Sequence, residues 1–294
     1  MARIHFLGVG KMGLPMASHL KNAGHELTVS DPSGERLALA RGAGLAVAEP
    51  DALAQADFVL SSLPNDTALL AVGQQMAQSA SAGAVYVDTS TVSLAASAQV
   101  ADLCSACGVA YLRTTVSGNN KMAEAAAVTV MASGPRAAYE RAEPLLACWG
   151  PQRFYLGEGE QARLMKLVVN LLIAQTSAML AEGLTLGRKG GLDWQDMWQV
   201  LCASAVGSPI VRAKAVQLSQ RDFTPTFTVE QMIKDLELIV GAAREVHAPL
   251  PQTAATLQLM QAAVAQGLGH LDYAAIIQAV ERSAGLSTPD QGRP

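Results

Sequence analysis

The chain has 294 residues, half of them hydrophobic and only 16% charged, with a formal net charge of −4. That length holds two cores at roughly 100–200 residues per domain, and the composition excludes a disordered chain. An acidic balance without a basic run argues against a nucleic-acid or polyanion partner.

The opening MARIHFLGVG runs straight into a strand pattern without a signal-peptide layout. RIHFLGV reads as a strand, and MGLPMASHLKNAG as a helix closed by Gly24. ELTVSD, ADFVLSSL and GAVYVDTS are further strands, with the helix GERLALARG after the first of them; GVAYLRTT and AVTVMAS extend the sheet. Strands alternating with helices imply βαβ units and a mostly parallel sheet. Near Gly157 the pattern changes, and helical periodicity covers 160–190, 193–203, 209–219, 228–247, 251–267 and 271–283. The expected fold is α/β: a Rossmann-type doubly wound domain over 1–158, a long connecting helix over 159–190, and an all-α domain over 191–294.

No apolar run reaches the roughly 18 residues of a membrane span, because Lys166, Asn170 and Gln175 interrupt the longest one. Cys104 and Cys107 form a CxxC with no second pair nearby. They read as small packing residues rather than a metal or redox site, and reduced thiols suit a cytoplasmic protein.

FLGVGKMG supplies Gly8, Gly10 and Gly13 as GxGxxG, with Val9 and Met12 between them. It follows a strand and opens a helix at the chain start, the context of a dinucleotide loop. There the backbone approaches a pyrophosphate, and a helix N-terminus favours the anion. Asp31 ends the second strand, placed to accept from the ribose hydroxyls and to repel a 2′-phosphate, so NAD is expected over NADP. Its alternative is a helix cap, a role for which Ser33 competes. Leu63, Pro64 and Asn65 in SLPND, and Thr91 in DTSTVS, lie after strands at the crevice, as cofactor groups or as ordinary turn and cap residues.

ARLMKLVVNLLIAQ reads as a buried helix that carries Lys166 and Asn170 on one face, with Ser177 further along the stripe. Burying a lysine is costly unless it is paired or functional. The alternative is a lysine snorkelling to solvent.

Taken together, FLGVGKMGLPMASHL, VSG at 116–118, KLVVN at 166–170 and KDL at 234–236 resemble the β-hydroxyacid dehydrogenase family, which includes 3-hydroxyisobutyrate dehydrogenase and tartronate semialdehyde reductase. The resemblance implies Lys166 as proton donor and acceptor at the substrate oxygen, with Asn170 positioning it. It implies Ser117 and the Gly118 backbone on the substrate carboxylate, and Lys234 closing over the nicotinamide, in a site at the junction of two domains. The family's Asp-x-Pro-Val-Ser-Gly-Gly loop is altered here: Arg113 and Thr115 replace Asp and Pro, Asn119 the second Gly, and Met122 and Ala126 later glycines. Asn119 reshapes the substrate pocket. Arg113 and Lys121 read as surface charges, or as partners of a second anionic group.

The expected activity is hydride transfer between NAD(P) and a small β-hydroxy acid. Imine reductases share the layout but generally lack the lysine, and a non-catalytic dinucleotide sensor is the other alternative. A homodimer or homotetramer is expected, through apolar positions around Trp194, Trp198 and Met232.

Overall fold

The computed structural model describes residues 1–48 and 52–287. The chain divides into two compact units, Met1–Lys166 and a second from Leu167 onward. The first unit runs β1 (Arg3–Leu7), α1 (Gly13–Asn22), β2 (Glu26–Ser30), α2 (Gly34–Gly42), β3 (Ala46–Val47), α3 (Ala52–Gln55), β4 (Phe58–Ser61) and α4 (Asp66–Ser79). It continues with β5 (Val85–Asp88), α5 (Leu94–Ala106), β6 (Ala110–Ser117), α6 (Asn120–Glu124), β7 (Thr129–Ser133), α7 (Arg136–Leu146) and β8 (Arg153–Tyr155). The long helix α8 spans Gln161–Lys189. After it come α9 (Trp194–Ala203), α10 (Pro209–Leu218), α11 (Val229–Glu245), α12 (Pro251–Ala265), a 3₁₀ turn at Tyr273–Ala275 and α13 (Ile276–Ser283).

The strand order is β3-β2-β1-β4-β5-β6-β7-β8. Among the described residues neighbouring strands are parallel except β6 with β7, which the short connection 118–128 joins. A parallel return needs a longer crossover. The order reverses between β1 and β4, so the loops after these two strands flank the crevice where doubly wound folds bind nucleotides.

Strand residues alternate between the two faces of the sheet. Phe6, Phe58, Leu60, Val85, Val87 and Leu112 share one core; Val59, Tyr86 and Tyr111 share the other. Both faces are covered, which is why β4 and β5 are buried at every position.

Three expectations need correction. The helix α8 is not buried all round: Leu167 is buried, but Leu164, Val168, Leu172, Met179 and Leu186 are exposed. Nor do its polar residues break the apolar run, since by length and composition α8 does reach the threshold of a membrane span. Isolated polar residues barely lower a window average, and here they meet protein partners: Asn170 bonds Asp235 and Gln175 bonds Thr253. Finally, Trp198 and Met232 are buried, and Trp194 is half-buried under Arg221, its indole N–H donating to Leu218 O and Ser219 O. They belong to the fold of the second unit rather than to an exposed apolar surface.

His5 lies buried on β1, its ring nitrogens 3.0 Å from Thr28 Oγ1 and 2.8 Å from Ser30 Oγ on the neighbouring strand. Burial lowers its pKa to about 4, against the opposing effect of the Thr28 hydrogen bond. The unfolded histidine takes its proton near 6.5. Its contribution is therefore complete above pH 6.5 and is lost as pH falls towards 4, by up to about 3 kcal/mol. Melting temperatures at about pH 7.5 and 5 should fall less in His5→Gln than in wild type; equal falls would remove His5 from the acid response.

Candidate active site

The β1–α1 turn needs its glycines. Gly8 has φ +87°, its N–H donates 2.8 Å to Ser30 O, and an added Cβ would come within 2.4 Å of Ser62 O. At Gly13 a Cβ would lie 2.0 Å from Gly8 O, so helix and strand could not approach as they do. At Gly10 nothing stands within 4 Å of a Cβ, leaving the backbone open to a ligand. The α1 terminus has no side-chain cap at Met12 and no acidic residue in its first turn. Leu14 N and Met16 N are taken by Gly10 O and Met12 O, and no side chain offsets the positive end of the helix dipole, a setting that favours an anion such as a pyrophosphate. The residues fit a dinucleotide.

Asp31 joins this loop directly. Its Oδ2 accepts from Val9 N at 2.9 Å and its Oδ1 from Ser33 N at 2.9 Å. The α2 cap is Ser33, so Asp31 is not the cap. After β4, Leu63 N donates 2.8 Å to Ser90 Oγ, which links two crevice loops. Pro64 and Asn65 are exposed, and Thr91 is half-buried. Asn65 caps α4, accepting from Ala68 N at 3.0 Å, so its side-chain oxygen serves the helix. Asp66 accepts from Ser93 N at 2.9 Å, a second tie between the same loops.

Ser117 closes β6, and Gly118 has φ +147° with room for a Cβ only 3.0 Å from Val128 Cγ1. Asn119 is the N-cap of α6 and accepts from Met122 N at 3.0 Å. Its bulk is therefore fixed by capping, while Met122 is 39% exposed beside it. Arg113 is neither a surface charge nor poised for a second anionic group. It is buried, paired with Glu160 through Nε at 2.7 Å and stacked over the Tyr111 ring. Thr115 is also buried and donates 2.9 Å to Ala162 O. These two departures from the family loop thus anchor the start of α8. Lys121 is exposed, as a surface charge is expected to be.

Lys166 is half-buried on α8 and Asn170 lies about one turn later, 6% exposed. Asn170 Nδ2 donates 2.5 Å to Asp235 Oδ2, and Lys234 Nζ stands 2.9 Å from Asp235 Oδ1. Asp235 is 1% exposed. It unites two residues that the sequence had singled out separately. The signal for it was an aspartate within the buried stripe of Met232, Leu236 and Ile239 on α11.

Asp88, Ser90 and Arg163 were also missed. Arg163, fully buried in the first turn of α8, pairs with Asp88. Burial opposes its charge, but Tyr111 and Asp88 more than offset this and hold its pKa above the usual value. The CxxC is a packing feature: Cys104 is buried, its thiol pushed up to about 12 chiefly by burial. Among the described residues no cluster of His, Cys, Asp and Glu has metal-holding geometry.

Two family models match this chain. The NAD binding domain of 6-phosphogluconate dehydrogenase covers residues 3–157, and the model described as NAD-binding of NADP-dependent 3-hydroxyisobutyrate dehydrogenase covers 160–280. A 2-(hydroxymethyl)glutarate dehydrogenase of Eubacterium barkeri is 32% identical over 97% of each chain. The chloroplastic glyoxylate/succinic semialdehyde reductase 2 of Arabidopsis thaliana is 32% identical over 95% of this chain and 79% of its own. Among solved structures, 3-hydroxyisobutyrate dehydrogenase of Mycobacterium tuberculosis, determined with L-serine, superposes with a TM-score of 0.87. It is 28% identical and covers 95% of this chain and 99% of its own.

Gly13→Ala forces a Cβ against Gly8 O, so the loop must open. Titration with NADH should show affinity reduced at least about tenfold, with stability lower by about 1–3 kcal/mol. Unchanged affinity would mean that the glycine loop does not hold the dinucleotide.

Proposed function

The chain belongs to the β-hydroxyacid dehydrogenase family of NAD(P)-dependent oxidoreductases, and on that premise we propose that it interconverts a small β-hydroxy acid and its carbonyl form, with NAD preferred and Lys166 handling the proton. When bound, the nicotinamide exchanges a hydride with the hydroxyl-bearing carbon of the substrate. Everything else falls to the chain.

Reduction of a carbonyl leaves an alkoxide that needs a proton, and oxidation of the alcohol requires that proton to be removed. Lys166 is the group for this exchange, and its ammonium form also opposes the developing negative charge. Asp235 orients Asn170. A carboxylate only accepts, so the amide nitrogen must face it, which turns Oδ1 away to accept from Lys166 or from a substrate hydroxyl. The observation that carries the reading is Asn170, about one turn after Lys166 on α8, with its amide fixed by a buried carboxylate. Ser117 and the Gly118 backbone receive the substrate carboxylate, and the Leu63–Asn65 and Thr91 loops take the nicotinamide ribose. Lys234 is the cofactor-binding lysine of the late motif, and its ammonium is paired with Asp235. The capped Asn119 and the adjoining Met122 favour a substrate other than 3-hydroxyisobutyrate, of the hydroxy-acid or semialdehyde class on which the relatives act.

Asp31 supports NAD, because its carboxylate, fixed by Val9 N and Ser33 N, would meet a 2′-phosphate with like charge. Retention of Lys166 counts against an imine reductase. Four unpaired cysteines support a reducing, cytoplasmic setting, and the exposed apolar residues Leu172, Met179 and Leu186 on α8 support assembly into a homodimer or homotetramer.

Lys166→Met should lower kcat by about 10²–10⁴-fold while NADH affinity stays within about threefold. Asp31→Asn should shift the NADP-to-NAD ratio of kcat/KM upward by about tenfold or more. Full turnover in Lys166→Met would remove the lysine from the chemistry, and an unmoved cofactor ratio would remove Asp31 from cofactor choice.

A further inference from the structure

The first turn of α8 is tied to the sheet of the first unit beyond what capping a helix start requires. Ala162 N donates 3.0 Å to Ser133 Oγ, and Ala162 O accepts from Thr115. The deepest tie is Arg163. Its Nη2 donates to Asp88 Oδ2 and, at 2.8 Å, to the Tyr111 hydroxyl. Its Nη1 donates to Ser90 O and its Nε, at 3.2 Å, to Ser97 Oγ. One planar group thereby meets acceptors on β5, the loop after it, α5 and β6.

The other oxygen of Asp88 continues the chain. Asp88 Oδ1 accepts from Ser61 Oγ at 2.5 Å and from Ser90 Oγ at 2.6 Å, and Ser90 Oγ in turn accepts from Leu63 N. From Arg163, hydrogen bonds thus reach both loops assigned to the nicotinamide ribose. In the other direction Lys166 stands less than one turn further along the same helix.

A buried ion pair is a poor device for stability as such, because the loss of hydration rivals the attraction. What a guanidinium provides and a lysine does not is a rigid fork of donors that fixes orientation. We propose that Arg163 is a positioning residue: it sets Lys166 against the 62–65 and 88–91 loops, so that proton and hydride reach the same carbon–oxygen bond. This inference rests on the dehydrogenase reading above.

Two variants test it. Arg163→Lys keeps the charge and loses the fork; Arg163→Gln combined with Asp88→Asn removes both charges but leaves neutral hydrogen-bonding groups. Each is titrated with NADH and with ADP-ribose, which lacks the nicotinamide, and assayed for turnover. ADP-ribose affinity should stay within about threefold while NADH affinity falls about fivefold or more. The kcat should fall about 10- to 100-fold, the scale of a misplacement near 1 Å. Parallel changes for both ligands, an unmoved ratio in a folded variant, or failure of both variants to fold would overturn the proposal and leave the pair as a fold determinant. If the wild type turns over no hydroxy acid, the dehydrogenase reading falls, yet the ratio of the two affinities still decides the role of Arg163.

Discussion

A carboxylate buried at the C-terminal end of β5 must find partners, and those that Asp88 takes organise the C-terminal edge of the sheet in the first unit. It is fully buried, and it reaches Ser61 at the end of β4, Ser90 in its own loop, and Arg163 from α8. Leaving such a group unpaired costs several kcal/mol. Strand ends, crevice loops and helix start therefore hold one another in place. The glycine turn adds the other side of the crevice, with Gly8 packed so close to Ser62 O that a side chain is excluded.

The second unit repeats the device with different chemistry. Asp235 is nearly inaccessible and divides its oxygens between the Asn170 amide and the Lys234 ammonium. In both units a buried acid fixes the orientation of polar side chains, Ser61, Ser90 and Arg163 in the first and Asn170 and Lys234 in the second. Orientation of this kind is what catalysis by hydride and proton transfer needs, since its gain comes from groups already aligned before the reaction.

Much of this was legible in the sequence, for identifiable reasons. GxGxxG declares itself because positive φ and close approach admit no side chain, and the helices of the second half show their 3.6-residue period over long stretches. The β3 and β8 strands are too short for any period to register, and strand direction, which sets β7 antiparallel to β6, has no period at all. Arg163, Arg113 and Asp235 escaped because a charged residue in a helix or strand reads as solvent-facing until its distant partner is known. Trp198 and Met232 were misplaced onto a surface for a related reason: apolar residues in a helix do not say which neighbour covers them. Asp31 and Asn65 each carry two readings in the sequence; the structure gives Asp31 Oδ2 to Val9 N in the glycine loop and the Asn65 side chain to the α4 cap, leaving the backbone of its loop to the proposed cofactor role.

The central claim is that the chain moves hydride between a small β-hydroxy acid and nicotinamide. The most direct measurement supplies β-hydroxy acids deuterated at the hydroxyl-bearing carbon together with NAD, and follows the mass of the reduced cofactor. The account predicts that the deuterium is recovered in NADH. Reduction without label in the cofactor, or NAD binding with no reduction by any acid supplied, would contradict it.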